Sequence, residues 1–147
     1  MNKNQLSQLI KLSRRHTDAA ARNLGHSHSR ARTEEDKLAL LERYRRDYQA
    51  QLSRDSRGSM TSDVLRNYHE FLNKLDAAIE QQRRQLMACQ QWVASSRTEW
   101  QGAHRKLKSF DTLSERETNR ERRTQARREQ REQDEQAAKP RNPSRTT

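Results

Sequence analysis

This sequence has few apolar residues and few residues that shape compact folds. Only 29% of its 147 residues are hydrophobic, 35% are charged, and it contains three glycines and two prolines. So little apolar material cannot fill a globular core. It suffices for long helices that each bury one narrow stripe, because such a stripe needs about two apolar residues in seven. The composition therefore favours a coiled coil over a compact domain.

Two kinds of apolar segment are also missing. No stretch approaches the roughly eighteen consecutive apolar residues of a membrane-spanning helix, and residues 1–13 lack the apolar run of a signal peptide. We therefore expect a soluble protein of the cell interior. The single cysteine, Cys89, cannot form an internal disulfide, and its place in the apolar pattern predicts a small buried side chain.

The sequence also lacks the motifs of catalysis. Gly25, Gly58 and Gly102 are too scattered to form a phosphate-binding loop or a nucleophile elbow. His26 and His28 lie two residues apart, point to different sides of a helix and have no third ligand at helical spacing. We therefore expect no enzyme activity, no cofactor and no metal site.

The charge is strongly positive, at +11, and would attract acidic proteins, nucleic acids or anionic membranes. A run of arginines between Arg120 and Arg131 could bind phosphates. However, interleaved glutamates would meet the same surface, and no residues suited to reading bases accompany the run. The interleaved glutamates are Glu117, Glu121, Glu129 and Glu132. The pattern favours a solvated charged helix, and a generic basic scaffold or a nucleic-acid-binding protein remains the alternative.

The apolar residues follow two uninterrupted seams with the 3.5-residue period of a coiled coil. Nine of fourteen positions are apolar in the first seam and twelve of fourteen in the second. The first seam is Leu6, Ile10, Ser13, Thr17, Ala20, Leu24, Ser27, Ala31, Glu34, Leu38, Leu41, Arg45, Tyr48 and Leu52. The second is Leu65, Tyr68, Leu72, Leu75, Ile79, Gln82, Leu86, Cys89, Val93, Ser96, Trp100, Ala103, Leu107 and Phe110. Glycine at position 25 predicts softness or a bend in the first helix.

Between the seams lies a polar turn. Gly58 is suited to a positive φ, and Thr61 or Ser62 is suited to cap the next helix. These signals predict helix 1 over about residues 4–52, a turn over 53–61 and helix 2 from about 62. The fold class predicted is all-α, a long antiparallel two-helix coiled-coil hairpin with a charged, partly disordered C-terminal tail.

The two seams have matched lengths. Leu6 lies 51 residues before Arg57, and Lys108 lies 51 residues after it, near the end of the second seam. A parallel homodimer would also fit the heptads but would not explain the matched ends. We therefore predict a hairpin over residues 1–113, with burial ending near Leu113, a charged helical extension over 114–138 and a disordered tail over 139–147.

Aromatic residues next to the seams offer a candidate docking face. Tyr44 and Phe71 each lie one position off a seam, near the turn, and Trp92 lies beside the second seam. Such rings are common anchors in protein interfaces, but they also serve to cover a seam. The sequence leaves both interpretations open.

Residues 1–120 resemble the FliJ family of the flagellar type III export apparatus. The residues around the turn carry the resemblance: Thr61-Ser62, Asn67-Tyr68 with Phe71 and Leu75, and Ala78-Ile79 with Gln82. Helix 1 contributes Asp18-Ala19-Ala20, Leu24-Gly25, Tyr44 and Tyr48, and helix 2 contributes Trp100 and Leu107. Relatives have tryptophan where this chain has Leu65, a smaller residue that we expect to fill the seam.

The resemblance implies a cytoplasmic, non-enzymatic component of flagellar protein export, needed for flagellum assembly and motility. Its implied partners are the hexameric flagellar ATPase, whose ring it enters like a rotary stalk, the membrane protein of the export gate, and the export chaperones. It would lie at the inner face of the membrane, held there through the gate, and no nucleic-acid partner is expected.

The resemblance also implies where these partners bind. The gate would contact residues near the turn, namely Leu41, Tyr44, Tyr48, Phe71, Leu75 and Ala78. The ATPase ring would contact residues of the two arm ends, namely Leu6, Ile10, Arg14, Phe110, Leu113 and Arg120.

Overall fold

Two long helices make up the described part of the protein. The computed structural model describes residues 2–140, in which helix α1 spans Lys3–Asp55 and helix α2 spans Ser62–Ala138. Pairs between the helices, such as Asn23 with Ser96 and Arg45 with Asp76, run in opposite directions along the two helices. The predicted all-α hairpin is thereby confirmed.

Helix α1 begins with a capping box. The Asn2 side-chain oxygen accepts the backbone N–H groups of Asn4 at 2.7 Å and Gln5 at 3.1 Å, and the Gln5 side chain accepts the Asn2 N–H at 3.2 Å. These bonds satisfy donors that have no partner inside the helix. Helix α1 therefore begins at Lys3, directly after its capping residue Asn2.

Helix α1 continues three residues beyond Leu52, the expected end, and stops at Asp55. The Ser56 N–H still bonds to the Leu52 carbonyl at 2.9 Å, and the Gly58 N–H bonds to the Asp55 carbonyl at 3.2 Å. Gly58 does not adopt the positive φ that we expected. The Gly58 N–H makes its hydrogen bond to Asp55 with a negative φ, so α1 ends without a residue in the left-handed region.

Thr61 caps helix α2. Its hydroxyl oxygen accepts the Val64 N–H at 3.4 Å, and its carbonyl accepts the Leu65 N–H at 3.1 Å. Asp63 lies in the first turn, where a negative charge is favoured by the helix dipole. Of the two predicted caps, the structure therefore selects Thr61 over Ser62.

The chain divides into two compact units, and both helices contribute to each. The turn unit comprises Arg15–His104. The terminal unit comprises the described residues of Met1–Arg14 and Arg105–Thr147. The domain limits expected from the sequence, a hairpin over residues 1–113 and an extension over 114–138, remain predictions. The predicted tail over 139–147 lies outside the described residues from 141 onward, and Lys139 and Pro140 follow the end of α2.

In the turn unit, the predicted seam residues are buried or half-buried with one exception. Leu65 is 38% exposed, so it does not fill the seam as expected. It lies in the first turn of α2, where α1 has already ended and little packs opposite. Cys89 is half-buried, with a free thiol, rather than fully buried.

The most deeply buried side chains of the turn unit are small and polar. Ser27 is 0% exposed and Ser96 is 1% exposed. Ser27 donates its hydroxyl to the Leu24 carbonyl at 2.7 Å, and the Asn23 amide donates to the Ser96 hydroxyl at 3.1 Å. Small side chains in a seam let two helix backbones come close. Helix α1 runs without interruption through Gly25, where softness was expected.

A carboxylate also lies in this seam. Glu34 is 3% exposed, and the Gln82 side-chain amide donates to its Oε2 at 2.5 Å and to its backbone oxygen at 3.0 Å. Arg30 and Lys37 lie 3.1 and 3.4 Å from its Oε1. The Gln82 hydrogen bond is the largest cause that lowers the pKa of Glu34, against the opposing effect of burial.

In the terminal unit, packing continues past Leu113. Leu6 is buried, and Ser114, Glu117 and Thr118 are half-buried. Lys3 forms an ion pair with Glu121 at 3.0 Å, so α2 still contacts α1 eight residues beyond the expected end of burial. Because α1 continues to Asp55, the turn is centred closer to the C-terminus than Arg57, the predicted centre. The residues of α2 that face a given residue of α1 therefore lie further along the chain than predicted.

Replacing Ser96 by leucine should destabilise the protein. The larger side chain would force apart helices that close around a fully buried serine, at a cost of about 1–3 kcal/mol. Urea denaturation followed by circular dichroism measures the change. Ser95→Leu is the matched control, because Ser95 is exposed and should change stability by less than about 0.5 kcal/mol. Equal losses in both variants would contradict close packing at Ser96.

Glu34 should make the stability of the protein depend on pH. Because its folded pKa lies below its unfolded value of about 4.3, its contribution is complete above that value and lost as pH falls through the folded pKa. Thermal unfolding between pH 6 and pH 2 should therefore show a smaller acid loss in Glu34→Gln than in the natural protein. The neighbouring exposed Glu35→Gln should keep the natural profile, and a Glu34→Gln profile that matches it would refute this role.

Candidate partner-binding surfaces

An aromatic cluster joins the two helices of the turn unit. The Tyr48 ring lies 5.0 Å from the Tyr68 ring and 4.4 Å from the Phe71 ring, between ring centroids, and both pairs are tilted. Tyr48 and Tyr68 are half-buried, while Phe71 is 45% exposed. Tilted rings at such distances attract each other beyond the area that they bury. The exposed Phe71 ring therefore packs on Tyr48, which in turn packs on Tyr68. We call Tyr48 and Tyr68 the packed base.

The six residues expected at the gate form what we call the aromatic face. Residues 41, 44 and 48 follow one another at helical spacing on α1, residues 71, 75 and 78 do so on α2, and the contact between Tyr48 and Phe71 joins the two rows. Exposure differs within the face: Tyr44 is 54% exposed and Leu75 only 8%. Tyr44 and Phe71 are thus the two members with large accessible rings, whereas Leu75 is buried.

Charged and polar groups border the aromatic face. Arg45 forms an ion pair with Asp76 across the two helices, with its Nη2 3.4 Å from Oδ2. The hydrogen bond from Arg45 lowers the pKa of Asp76, and the same bond raises the pKa of Arg45. Glu42 and Arg83 form a second cross-helix pair at 3.5 Å. These bridges hold the two rows of the face in fixed register.

Tyr68 ties the aromatic cluster to the end of α1. Its hydroxyl donates to the Asp55 carboxylate, and this bond is the main cause that raises the pKa of Tyr68. Sequence reasoning missed this bond and the cross-helix ion pairs. Opposite charges beside the seam were the available signal, but their pairing depends on the register.

The six residues expected at the ATPase ring all lie in the terminal unit. Leu6 is buried, and Ile10 and Phe110 are half-buried. Arg14 is exposed and lies 3.9 Å from Asp111. The remaining exposed members are Leu113, at 46%, and Arg120. Buried members of the set pack the two helices together, so the accessible ones are those that a partner can contact directly.

No metal-binding cluster appears in residues 2–140, because no three His, Cys, Asp or Glu side chains come together there. Across the same residues, neither helix contains a segment apolar enough to cross a bilayer. Trp100 stacks on His104, with ring centroids 5.0 Å apart, and is half-buried, whereas Trp92 is 38% exposed.

Comparison with known proteins supports the resemblance found in the sequence. The chain matches the family described as "Flagellar FliJ protein" over residues 2–141. It is 32% identical over 113 residues to the Flagellar FliJ protein of Salmonella typhi, an alignment that covers 77% of each chain. It is 31% identical over 113 residues to the Flagellar FliJ protein of Escherichia coli strain K12, again covering 77% of each chain.

Tyr48 and Tyr44 should differ in what they contribute to stability. Tyr48→Ala removes a ring packed against two others and should cost about 2 kcal/mol, whereas the exposed Tyr44→Ala should cost less than about 0.5 kcal/mol. Chemical denaturation of both variants measures this difference. Comparable losses would mean that Tyr44 is also part of the packed base, and that the accessible face is smaller than described.

Proposed function

Because this chain belongs to the FliJ family and is therefore a component of flagellar protein export, we propose that it is a stalk-like partner of the hexameric flagellar ATPase. In this role it also contacts the membrane protein of the export gate and escorts export chaperones. The protein has no catalytic activity of its own and acts by binding. It works in the cytoplasm, at the inner face of the membrane at the flagellar base.

The observation that carries the proposal is the accessible ring pair of the aromatic face. Tyr44 and Phe71 expose large apolar surfaces beside a packed aromatic base, although an unpartnered helix pair would gain nothing from exposing them. The cross-helix pair Arg45–Asp76 links the two helices beside this surface. A preorganised aromatic surface with a polar border has the composition of a protein interface, and we assign it to the gate.

The proposed contact with the ATPase ring involves a different part of the chain. Within the terminal unit, Arg14 and Leu113 are exposed and offer one cationic and one apolar contact, while Leu6 maintains the packing beneath. A stalk inside a ring needs contacts on its outer surface and a stable interior. The terminal unit meets both requirements, so we assign the contact with the ATPase ring to Arg14 and Leu113.

Two double variants test the proposal, each serving as the control for the other. Tyr44→Ala with Phe71→Ala should reduce binding to the cytoplasmic domain of the gate at least tenfold and leave ATPase binding unchanged, because both rings are interface anchors. Arg14→Ala with Leu113→Ala should do the reverse. Binding of the purified chain to each immobilised partner gives the affinities, and circular dichroism confirms that both variants stay helical.

The outcomes separate the alternatives. Loss of both partners in both variants, with helicity retained, would mean that the two surfaces are not distinct sites. Unchanged gate binding in the first variant would refute the aromatic face as the gate contact. If the natural protein binds neither partner, the stalk function itself fails, and a generic basic scaffold becomes the better description.

A further inference from the structure

The distal part of α2 is a helix without a packing partner among residues 2–140. Every residue from 122 to 138 is exposed. Five arginines of this region are spaced by four, three, four and four residues, which places them within an arc of roughly 80° on a helix of 3.6 residues per turn. We call this set the arginine face: Arg116, Arg120, Arg123, Arg127 and Arg131.

Of the four interleaved glutamates, Glu117 and Glu121 line one surface with Arg120, as expected from the sequence, whereas the other two do not share the arginine face. Glu117 is half-buried beside α1, and Glu121 forms an ion pair with Lys3 at 3.0 Å, so both lie on the side that packs. Glu129 and Glu132 point away from the arginines by their helical spacing. The arginine face is therefore free of glutamates between Arg123 and Arg131, and Asp134 bounds it one turn beyond Arg131.

Apart from the glutamates beside Arg120, the neighbours of the arginines on this surface are polar and uncharged. Asn119 and Thr124 line one shallow, open surface together with four of the arginines. Between Arg116 and Arg131 the largest apolar side chain is that of Ala126. The arginine face therefore offers charge without an apolar anchor, and it does not suit a partner that binds by burying apolar side chains.

Most of these charges are not neutralised within the protein. Arg120 lies 3.6 Å from Glu117. The other four arginines of the face form no ion pair with any residue in the described range 2–140. Unpaired guanidinium groups in one row favour a ligand with several phosphates or carboxylates, because each group can donate two parallel hydrogen bonds to such an anion.

We propose that the arginine face docks the distal part of α2 on the surface of an anionic lipid bilayer. The face is straight and about 22 Å long, at a rise of about 1.5 Å per residue, so a flat layer of phosphate headgroups can meet all five arginines at once. The glutamates on the other sides of the helix then point away from the lipid, where they cause no repulsion.

This contact is distinct from membrane association through the export gate, because the ligand is the lipid itself. With no apolar side chain to insert, binding is electrostatic and reversible. Each arginine near an anionic surface contributes about a fivefold gain in affinity at physiological salt, and the effect is screened within a Debye length.

The chain provides a matched pair of variants for the test. Arg123→Gln with Arg127→Gln removes two charges from the face, whereas Arg122→Gln with Arg128→Gln removes two charges from the adjacent positions, off the face. Both variants have the same composition and net charge, and Gln preserves helix propensity. The measurement is sedimentation of the full-length protein with vesicles containing 30% phosphatidylglycerol, with phosphatidylcholine vesicles as the neutral reference.

We expect the face variant to lose about 25-fold in vesicle affinity, the off-face variant to lose less than about threefold, and the natural protein not to bind neutral vesicles. Equal losses in the two variants would overturn the proposal, because net charge alone would then explain binding. So would the absence of binding by the natural protein. Tighter binding to duplex DNA at the same salt, lost in the face variant, would replace lipid by nucleic acid as the ligand. These outcomes need neither the ATPase nor the gate, so they are independent of the stalk function.

Discussion

A helix that packs against a single partner can hide only a narrow stripe of its surface, and this geometric limit governs the whole protein. Small polar side chains interrupt the large apolar ones of the stripe, and its two most deeply buried residues are Ser27 and Ser96. Apolar burial alone therefore discriminates weakly between alternative registers of the two helices. Polar contacts such as Glu34 with Gln82 favour one alignment, because a shift would leave a buried carboxylate without its donor. The rest of each helix surface remains open to partners.

The periodic part of this architecture could be predicted from the sequence, because side-chain direction on a helix repeats with a fixed step. The seam residues follow from that step alone, whereas the hairpin follows only when the polar turn and the matched lengths of the seams are added. The helix ends could not be predicted to the residue, since they depend on local hydrogen bonds such as those of Asn2 and Thr61. The register was also displaced, because counting outward from Arg57 assumed that α1 ends earlier than Asp55.

The candidate surfaces were predictable to a different degree. Apolar residues beside the seam correctly drew attention to Tyr44 and Phe71 as accessible rings. The polar border was not predictable, because a pair such as Arg45–Asp76 exists only in one register. The arginine face could have been found from the sequence, because the spacing of its arginines is visible there. It was missed because glutamates lie between the arginines in the sequence, and the residues had not been assigned to sides of the helix.

The buried pair of Glu34 and Gln82 also constrains how such a chain can change in length during evolution. A single inserted or deleted residue on one helix would rotate all following side chains by about 100° and expose the seam. Insertions of seven residues preserve the facing stripe, but only if both helices gain them on the same side of this pair. Length variation should therefore accumulate as compensated heptads. Uncompensated changes should be tolerated in the distal part of α2, which packs against no other segment of residues 2–140.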